Sequence, residues 1–300
     1  MVIEEIRSLI ARHAREDMKT PIEGVLISRT VHSESAPAMT GSIMALIAQG
    51  RKRIGLGNRV YEYGEGQYLV ASVDLPVTGH FVRATEKSPS LGFGLMLEPQ
   101  AIAELLLAAP TGAIKSAGAG APPGMLVSDA PIVLLDAVVR LLRLLDTPHD
   151  LPVLAPAIKR EILWRLILGE QGTTVQQLGL AGSHLSQIAR TTQWIRQNYA
   201  EVLRVADLAA LAGMSSSAFY RNFQAVTAMS PIQFQKRIRL QEARLLLAAH
   251  PNDVTSIGHR VGYDSASQFS REYRRQFSRA PSEDAILLRN TAPAALTALA

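Results

Sequence analysis

The feature that most constrains this chain is a pattern that occurs twice near the C-terminal end of the sequence. Residues 205–223 read VADLAALAGMSSSAFYRNF, and residues 254–273 read VTSIGHRVGYDSASQFSREY. Each copy contains a short apolar helix, a Gly turn, a Ser or Asp that can start a second helix, and an Arg on that second helix. This is the layout of a helix-turn-helix, and two copies in one small module predict a protein that binds DNA.

The turn and cap residues support this prediction in both copies. In the first copy, Gly213 closes the first helix, because Gly adopts the left-handed conformation without a steric penalty, and Ser215 can cap the second helix. Phe219 and Phe223 are four residues apart and therefore share the buried face of that helix. The second copy has equivalent residues: Gly262 at the turn, Asp264 or Ser265 at the cap, and Phe269 and Tyr273 on the buried face.

Side chains on the outer faces of the second helices are the candidates for contact with DNA. Arg can bind guanine and Gln can bind adenine through paired hydrogen bonds, whereas Arg at helix flanks more often holds phosphates. The alternative is that these side chains are ordinary solvated groups. The candidates are Ser216, Ser217, Tyr220 and Arg221 in the first copy, and Ala266, Ser267, Gln268, Arg271, Arg274 and Arg275 in the second.

The charge of the chain is concentrated around the repeated pattern. Residues 1–181 contain 17 Lys and Arg against 18 Asp and Glu, whereas residues 182–300 contain 14 against 8. The C-terminal part therefore has a net charge of +6, which suits a surface that meets phosphates, although a solvated charge excess is the alternative interpretation. Between the two copies, residues 231–248 predict a helix that acts as a buried connector. Its apolar positions are Ile232, Phe234, Ile238, Leu240, Leu245 and Leu246.

The N-terminal part has a different pattern. An amphipathic helix is predicted over residues 3–16, and seven short β-branched segments separated by Gly turns follow between residues 24 and 98, which indicates a small β-barrel or sandwich. Helices are expected over 98–107, 131–146 and 152–168, the last with its proper start at Pro156. The Gly-, Ala- and Pro-rich residues 111–123 are expected to form a mobile loop.

Several classes of protein are disfavoured by the composition. The chain has no Cys, which excludes disulfides and thiolate metal sites, and it has no apolar run long enough for a transmembrane helix and no signal peptide. His32 and His80, the only His residues of the predicted barrel, are too far apart in sequence for a clustered metal site. We therefore expect no metal, no cofactor, no membrane association and a cytoplasmic location.

Three Tyr residues on adjoining predicted strands are candidates for binding a small molecule. Tyr61, Tyr63 and Tyr68 alternate with polar residues. They are either barrel core or the lining of an effector pocket, because Tyr combines an apolar ring with a hydroxyl.

The residues from about 184 to 288 resemble the AraC/XylS-type DNA-binding domain. The resemblance rests on the two spaced helix-turn-helices, the connector sequence MSPIQFQKRIRLQEAR at 229–244 and the signature at 261–273. Residues 21–108 resemble the cupin-like N-terminal effector domain of one AraC subfamily, through segments at 20–24, 49–53 and 61–70. Carried over by position, the family's base-reading residues fall on Ser217, Tyr220, Arg221, Ala266, Ser267, Gln268 and Arg271.

The resemblance implies a multidomain α+β protein with an N-terminal cupin-like β-barrel, flanking helices and a C-terminal all-α module. We place an effector and dimerisation domain at 1–181, with the barrel at about 21–98 and helices at about 99–181. The DNA-binding domain occupies 182–300, with helix-turn-helices at about 205–227 and 254–277. The family usually has Gly where this chain has Ala228 and Ser278, and Ala where this chain has Gly258. Because Gly destabilises a helix interior, we expect the second helix-turn-helix to be soft, that is, of low stability, and Gly258→Ala to stabilise it.

The function that the resemblance implies is sequence-specific regulation of transcription, as an activator that recruits RNA polymerase or as a repressor that blocks it. The expected partners are double-stranded promoter DNA, a small-molecule effector sensed in the barrel, RNA polymerase, and a second copy of the chain that packs on the apolar helices 131–146 and 152–168. The DNA-bound protein would be associated with the nucleoid. Two alternatives stay open from the residues alone: a constitutive DNA binder without an effector, and a cupin-type enzyme fused to a DNA-binding module.

Overall fold

The computed structural model describes residues 2–32, 35–114, 120–251 and 253–290. Strands and flanking helices form the N-terminal part, and the C-terminal part is entirely helical where it is described. The fold class predicted from the sequence is therefore confirmed. Residues 115–119 of the expected mobile loop lie outside the described residues.

The strands form two antiparallel sheets around a shared hydrophobic core. They are β1 (Val25–Thr30), β2 (Ala36–Met39), β3 (Ile43–Gln49), β4 (Arg51–Leu56), β5 (Arg59–Gly64), β6 (Gln67–Ala71), β7 (Pro76–Phe81), β8 (Ser90–Met96) and β9 (Met125–Asp129). One sheet has the order β1-β8-β3-β6-β9, and the other has the order β2-β7-β4-β5. Ile27, Ile54 and Phe93 are fully buried between them.

The barrel differs from the predicted one in two strands. The short strand β2 pairs with β7 and contains Pro37, and β9 pairs with β6 although it lies more than 50 residues later in the sequence. The sheet structure therefore does not end at residue 98 as expected, because residues 125–129 complete the five-stranded sheet.

The helices number twelve within the described residues. They are α1 (Val2–His13), α2 (Pro99–Ala108), α3 (Ile132–Arg143), α4 (Leu151–Leu168), α5 (Gly172–Gly179), α6 (His184–Gln197), α7 (Val205–Ala212), α8 (Ser216–Thr227), α9 (Pro231–Ala249), α10 (Val254–Arg260), α11 (Ala266–Phe277) and α12 (Pro281–Asn290). Two short 3-10 turns at 144–146 and 148–150 join α3 to α4.

Two helices depart from the sequence prediction. Helix α4 starts at Leu151 and contains Pro156 in its second turn, rather than starting at Pro156. Pro156 lies past the first turn, and because it has no N–H it cannot donate the helical hydrogen bond to the carbonyl of Pro152. Helix α5 covers part of a segment for which no helix was predicted.

The hydrophobic core is divided within α9. One cluster runs from α1 and the sheets through α6, α7 and α8 as far as Phe234 and Ile238 on α9. A second cluster starts at Leu240 and Ala243 on α9 and includes residues of α10, α11 and α12. The first helix-turn-helix therefore shares its core with the N-terminal sheets, and the second has a core of its own.

Candidate nucleic-acid interface and effector site

The first helix-turn-helix consists of α7 and α8, and its turn has the predicted geometry. Gly213 caps α7 in the left-handed conformation, with φ of 67°, and the Ser215 hydroxyl accepts the backbone N–H of Ala218 at 3.3 Å. Phe219 and Phe223 are fully buried with their ring centres 5.4 Å apart. These contacts fix the outward direction of the opposite face of α8.

The second helix-turn-helix consists of α10 and α11. Gly262 has φ of 91°, and the alternative left open for the cap is resolved, since the Ser265 hydroxyl accepts the backbone N–H of Gln268 at 3.3 Å. Phe269 and Tyr273 are fully buried, as expected, with ring centres 5.6 Å apart. The two motifs are thus built alike, with recognition helices α8 and α11.

The structure exposes nearly all the predicted DNA-contacting side chains. Those on α8 are exposed: Ser216, Ser217, Tyr220 and Arg221. Those on α11 that are exposed are Ala266, Ser267, Arg271, Arg274 and Arg275. Gln268 differs, because its side chain is half-buried and its Nε2 donates to Glu272 Oε1 at 3.4 Å. We therefore expect Gln268 to be less available to a base than the sequence suggested.

The arginines on these two helices have no acidic partner among the described residues. The ion pairs of the described residues after 181 join Arg196 to Asp74, Lys236 to Glu272 and Arg244 to Asp284. None includes Arg221, Arg271, Arg274 or Arg275. Unpaired, exposed guanidinium groups on a recognition helix are free to bind phosphates or guanine edges.

A surface cleft of about 480 Å³ extends the second recognition helix toward α12. It is lined by Arg271, Arg274, Val254 and Ser282, together with other residues at the start of α12. Ser282 was not among the residues predicted from the sequence. The Pro-Ser pair at 281–282, which begins α12, could have indicated it. A helix N-terminus with a Ser beside two arginines suits a phosphate.

Helix α11 is held by two buried polar groups. Glu272 accepts Lys236 Nζ at 2.7 Å and the Tyr263 hydroxyl at 2.9 Å. Burial raises the pKa of Glu272, but its hydrogen bonds from Lys236, Tyr263 and Gln268 outweigh this and hold the pKa below its usual value. Because an ammonium and a phenol donate to this carboxylate, α11 is tied firmly to α9.

The second group is Asp284 on α12, which is 1% exposed. Arg244 binds both of its oxygens, at 2.7 and 3.2 Å, and the Tyr273 hydroxyl donates to one of them at 2.7 Å. This triad joins α9, α11 and α12. Together with Glu272 it argues against the soft second helix-turn-helix that was expected from Gly258.

Arg239 is a structural residue that the sequence analysis did not identify. Its guanidinium donates to the carbonyls of Tyr199 and Gly262, both at 2.7 Å, and to those of Ala200 and Glu201. It therefore joins the end of α6 to the turn of the second motif. The surrounding sequence, a helix with many basic residues, gave no signal that this one points inward.

The three departures from the family pattern have clear structural consequences. Ala228 and Ser278 both adopt the left-handed conformation, with φ of 58° and 59°, at the ends of α8 and α11. Gly is favoured there because other residues are strained. Gly258 is buried, and a Cβ on it would lie 3.0 Å from Cδ1 of the Phe269 ring. The expected benefit of Gly258→Ala is therefore offset by crowding.

The structure separates the three candidate effector Tyr residues. Tyr61 and Tyr63 lie two residues apart on β5 and share the inward face, where Tyr63 is fully buried and Tyr61 is half-buried. Tyr68 is also buried, but it lines a cleft of about 420 Å³ with Arg165, Glu170 and residues of α3 and α4. Burial, with the nearby Glu170 carboxylate, raises the pKa of Tyr68 to about 12.

A buried lysine that the sequence analysis missed lies beside Tyr63. Lys52 on β4 is 2% exposed and stands directly across from Tyr63 on β5 and from Phe81 on β7. Burial lowers the pKa of Lys52 to about 7, and its Nζ lies 5.0 Å from the centre of the Phe81 ring. The Tyr63 hydroxyl has no hydrogen-bond partner in the described part of the chain, and burial raises its pKa. A buried lysine and a buried tyrosine hydroxyl without a hydrogen-bond partner in the described residues therefore belong to one cross-strand pair.

Over the described ranges, no group of three or more His, Cys, Asp or Glu side chains is arranged to hold a metal ion. Within the same ranges, no helix combines the length and the apolar character needed to cross a bilayer.

Comparison with protein families gives two matches that together cover most of the chain. The model for the AraC-type transcriptional regulator N-terminus matches residues 21–174, and the model for a helix-turn-helix domain matches residues 208–285. The HTH-type transcriptional activator RhaS of Pectobacterium carotovorum subsp. carotovorum (strain PC1) is 30% identical over 101 residues, which are 34% of this chain and 36% of RhaS. The chain thus aligns with about a third of the length of that relative.

Solved structures show the same fold over nearly the whole chain. Wild-type ToxT from Vibrio cholerae strain SCE256, bound to an unsaturated fatty acid, has a TM-score of 0.56 and 12% identity, and the match covers 92% of this chain and 99% of ToxT. ToxT from Vibrio cholerae O395 bound to (E)-4-(8-methylnaphthalen-1-yl)but-3-enoic acid has a TM-score of 0.54 and 11% identity, with 88% and 98% covered. At this identity the likeness establishes the shared fold.

Proposed function

The chain belongs to the AraC-type transcriptional regulators, DNA-binding proteins rather than enzymes, and from this premise we propose that it reads promoter DNA with α8 and α11 under control of a small-molecule effector. The observation that carries the DNA part is the set of exposed arginines without acidic partners, in the described part of the chain, on two recognition helices built alike. The family assignment sets aside the cupin-type enzyme that the residues alone left open.

The proposed base and phosphate contacts come from both helices. On α8 they are Ser216, Ser217, Tyr220 and Arg221; on α11 they are Ala266, Ser267, Gln268, Arg271, Arg274 and Arg275. Arg271 is the best candidate for reading a base, because it is exposed in the middle of α11, whereas Arg274 and Arg275 lie a turn later, where phosphates are nearer.

Replacement of Arg271 tests this assignment. We expect Arg271→Ala to weaken binding to DNA selected from a random pool by the unmodified chain, by about 1–3 kcal/mol, and to relax the preference at one base position. Arg15→Ala, which removes the same charge from an exposed residue beyond the end of α1, is the control and should leave the selected sequence unchanged. If Arg271→Ala keeps both the affinity and the base preference of the unmodified chain at every position, Arg271 does not read a base.

We propose that the effector is a small organic acid that binds inside the N-terminal sheets beside Lys52 and Tyr63. An anion there would pair with the buried Lys52 ammonium, which has no acidic partner among the described ion pairs, and would accept a hydrogen bond from the Tyr63 hydroxyl, which has no partner in the described residues. Tyr61 would line the apolar part of the site. The two ToxT structures, whose ligands are both carboxylic acids, support the chemical class.

Thermal shift with cis-9-hexadecenoic acid, and with the corresponding alcohol as control ligand, tests the effector site. We expect the acid alone to raise the melting temperature of the full chain, Lys52→Met to abolish the shift, and Tyr68→Phe to retain it. Loss of the shift in Tyr68→Phe but not in Lys52→Met would place the ligand in the cleft beside Arg165 instead. No shift by acids of several lengths would favour the constitutive DNA binder.

The location and assembly of the protein follow from the same proposal. A cytoplasmic location, with association with the nucleoid when DNA is bound, gives the regulator access to its promoter and to RNA polymerase. We also propose a homodimer through α3 and α4, because Ile132 and Val153 at the starts of these helices are 62% and 74% exposed. Sedimentation of the full chain at micromolar concentration tests this, and a clean monomer would count against it.

A further inference from the structure

The C-terminal end of the recognition helix α8 is completed by the N-terminal sheets. The last carbonyls of a helix have no donor within the helix itself. The carbonyl of Val226, in the last turn of α8, accepts the backbone N–H of Gly124 at 2.9 Å. Gly124 directly precedes β9, and its own carbonyl accepts the backbone N–H of Ser72 at 2.9 Å. Gly124 thus links α8 to the end of β6.

Two glycines permit this close approach. A Cβ on Gly124 would lie 2.5 Å from the Val226 carbonyl oxygen, and a Cβ on Gly57 would lie 2.7 Å from the carbonyl oxygen of Ala228. Gly57 forms the turn between β4 and β5, with φ of 61°. Gly66, in the next turn along the chain, has φ of 75°, and a Cβ on it would have nothing within 4 Å among the described residues. Backbone conformation explains a Gly at both turns, but only Gly57 touches the DNA-binding part.

The connector helix α9 is attached to the same edge of the sheets. Arg237 Nη2 donates to the Gly57 carbonyl at 3.2 Å, and Gln241 Nε2 donates to the carbonyls of Ala38 and Val77 at 3.4 and 3.3 Å. On α6, Arg196 pairs with Asp74 at 2.7 Å. Across the residues that the structure describes, no hydrogen bond joins the sheets to α10, α11 or α12. The attachment is therefore confined to the first half of the DNA-binding part.

We infer that Gly57 and Gly124 are positioning residues, through which the N-terminal sheets cap α8 and set its orientation while leaving α11 to be set by its own core. The contacts lie at the C-terminal end of α8, whereas Ser216 and Ser217 lie at its start and stay exposed. The attachment therefore orients the reading face and does not cover it. A movement of the β4–β5 turn or of the start of β9 changes the angle between the two recognition helices.

The same hairpin connects this attachment to the effector site. Lys52 and Tyr63 are a cross-strand pair on β4 and β5, and Gly57 lies in the turn that joins these strands. A ligand beside Lys52 would therefore act on α8 through one hairpin. This link to the effector rests on the proposed function, whereas the positioning role of the two glycines does not depend on it.

Hydrogen–deuterium exchange on the full chain tests the positioning role without DNA or ligand. In Gly57→Ala, the unchanged Gly124 amide and the amides of 224–228 should exchange about three- to tenfold faster, as expected when one hydrogen bond is lost. The amides of α11 should keep their rates. Gly66→Ala has the same unfavourable φ without the contact, and it should change neither region. Gln241→Ala removes two bonds from α9 without strain in a turn, and it should also accelerate the Gly124 amide.

Footprinting on DNA selected by the unmodified chain gives the functional readout. The half-site of α8 is the one whose protection is lost in Arg221→Ala. In Gly57→Ala we expect about tenfold weaker protection of that half-site, with the other half-site retained, which a general loss of stability would not produce. Unchanged exchange of the Gly124 amide in both Gly57→Ala and Gln241→Ala, or the same response in Gly66→Ala, would overturn the inference. If the unmodified chain selects no DNA sequence, the proposed function fails, while the exchange result still decides the positioning role.

Discussion

At the scale of single residues, the ammonium of Lys52 lies in an unfavourable environment. It is 2% exposed, and its only close charge-related contact in the described chain is the face of Phe81. An aromatic face compensates a buried cation only in part, since the attraction is worth about 2 kcal/mol in a desolvated site. The free protein therefore carries an electrostatic penalty whenever Lys52 is protonated.

Replacement of Lys52 by Met is expected to stabilise the free protein at neutral pH. The pKa of Lys52 in the fold is about 7, below the ordinary value of 10.5, so protons bind more tightly to the unfolded chain between these values. The contribution of Lys52 to stability is thus poorest below pH 7 and improves as the pH rises toward 10.5. At about 1.4 kcal/mol per pKa unit, Lys52→Met should gain a few kcal/mol at pH 7.

Denaturation of both proteins at pH 6, 7.5 and 9 checks this expectation. The difference in the free energy of unfolding between Lys52→Met and the unmodified chain should be largest at pH 6 and should shrink at pH 9. A difference that is constant over this range would show that Lys52 is not buried as a titrating group. Tyr63→Phe, which removes the adjacent unpartnered hydroxyl, controls for the general effect of a change in this part of the core.

A second prediction at this scale concerns Ser278, which closes α11 in the left-handed conformation. An L-residue other than Gly is strained there by about 1–2 kcal/mol, but Gly also increases the entropy of the unfolded chain. We expect Ser278→Gly to raise the free energy of unfolding by about 0.5 kcal/mol. Ser256→Gly, at an exposed helical position of α10, should lower it by a similar amount. Urea denaturation followed by circular dichroism measures both, and changes of the same sign would contradict the explanation.

At the scale of elements, Gly258 shows how a neighbouring helix can reverse a helix-propensity argument. Gly in a helix interior costs about 1 kcal/mol relative to Ala, which favours Gly258→Ala. The Phe269 ring from α11 fills the space that the methyl group needs, however, and overpacking typically costs about 1–3 kcal/mol. We expect Gly258→Ala to lower the stability of α10 and α11 by about 1 kcal/mol.

The control for this prediction lies two residues earlier on α10. Ser256 is exposed, so Ser256→Ala changes only the helix propensity and adds no group next to Phe269. We expect it to raise the free energy of unfolding by about 0.3 kcal/mol. Exchange rates of the α11 amides report the local effect of each variant. A slower exchange in Gly258→Ala would show that the Phe269 ring moves aside at little cost.

Local signals were sufficient to predict the elements that begin and end with characteristic residues. Gly213 and Ser215 mark the turn of the first motif, and α7 runs over the predicted residues 205–212. Strand β9 carried no such signal, because its partner β6 is more than 50 residues earlier in the sequence and only tertiary pairing makes it a strand. On α9, the predicted core positions Phe234, Ile238 and Leu240 are buried, whereas Ile232 and Leu245 are 51% and 44% exposed.

The candidate sites, like the helices and strands, were predictable where a local sequence pattern determines which side chains are exposed. The outer faces of α8 and α11 follow from the spacing of the buried Phe and Tyr residues, so the exposure of most residues proposed to contact DNA could be predicted from the sequence. The burial of Lys52 was not predicted, because a basic residue between Arg51 and Arg53 suggests a solvated turn or strand edge, or less often a DNA contact. Its inward direction follows only from the alternation along β4, where Lys52, Ile54 and Leu56 are buried in turn.

At the scale of the whole molecule, the division of the core does not coincide with the predicted boundary between residues 181 and 182. The cluster that fills the sheets continues into α6, α7 and α8 and ends on α9 at Ile238, and a separate cluster begins at Leu240. Burial of apolar surface is the dominant favourable term in folding, so residues that share one apolar cluster stabilise one another. The first helix-turn-helix should therefore unfold with the sheets, and the second should unfold as a separate unit.

Hydrogen exchange of the full chain in increasing urea can distinguish these units. We expect the amides of α8 to lose protection together with those of β6, and the amides of α11 to lose theirs at a different urea concentration. Asp284→Asn, which weakens the buried contacts with Arg244 and Tyr273, should shift only the α11 transition, because those partners all belong to the second cluster or its rim. If α8 and α11 instead unfold together and apart from β6, the DNA-binding part is one cooperative domain, and the sheets merely rest against it. If α8 unfolds together with the sheets, a ligand that stabilises the sheets also stabilises α8. The second unit unfolds separately, so the same ligand would leave the stability of α11 unchanged.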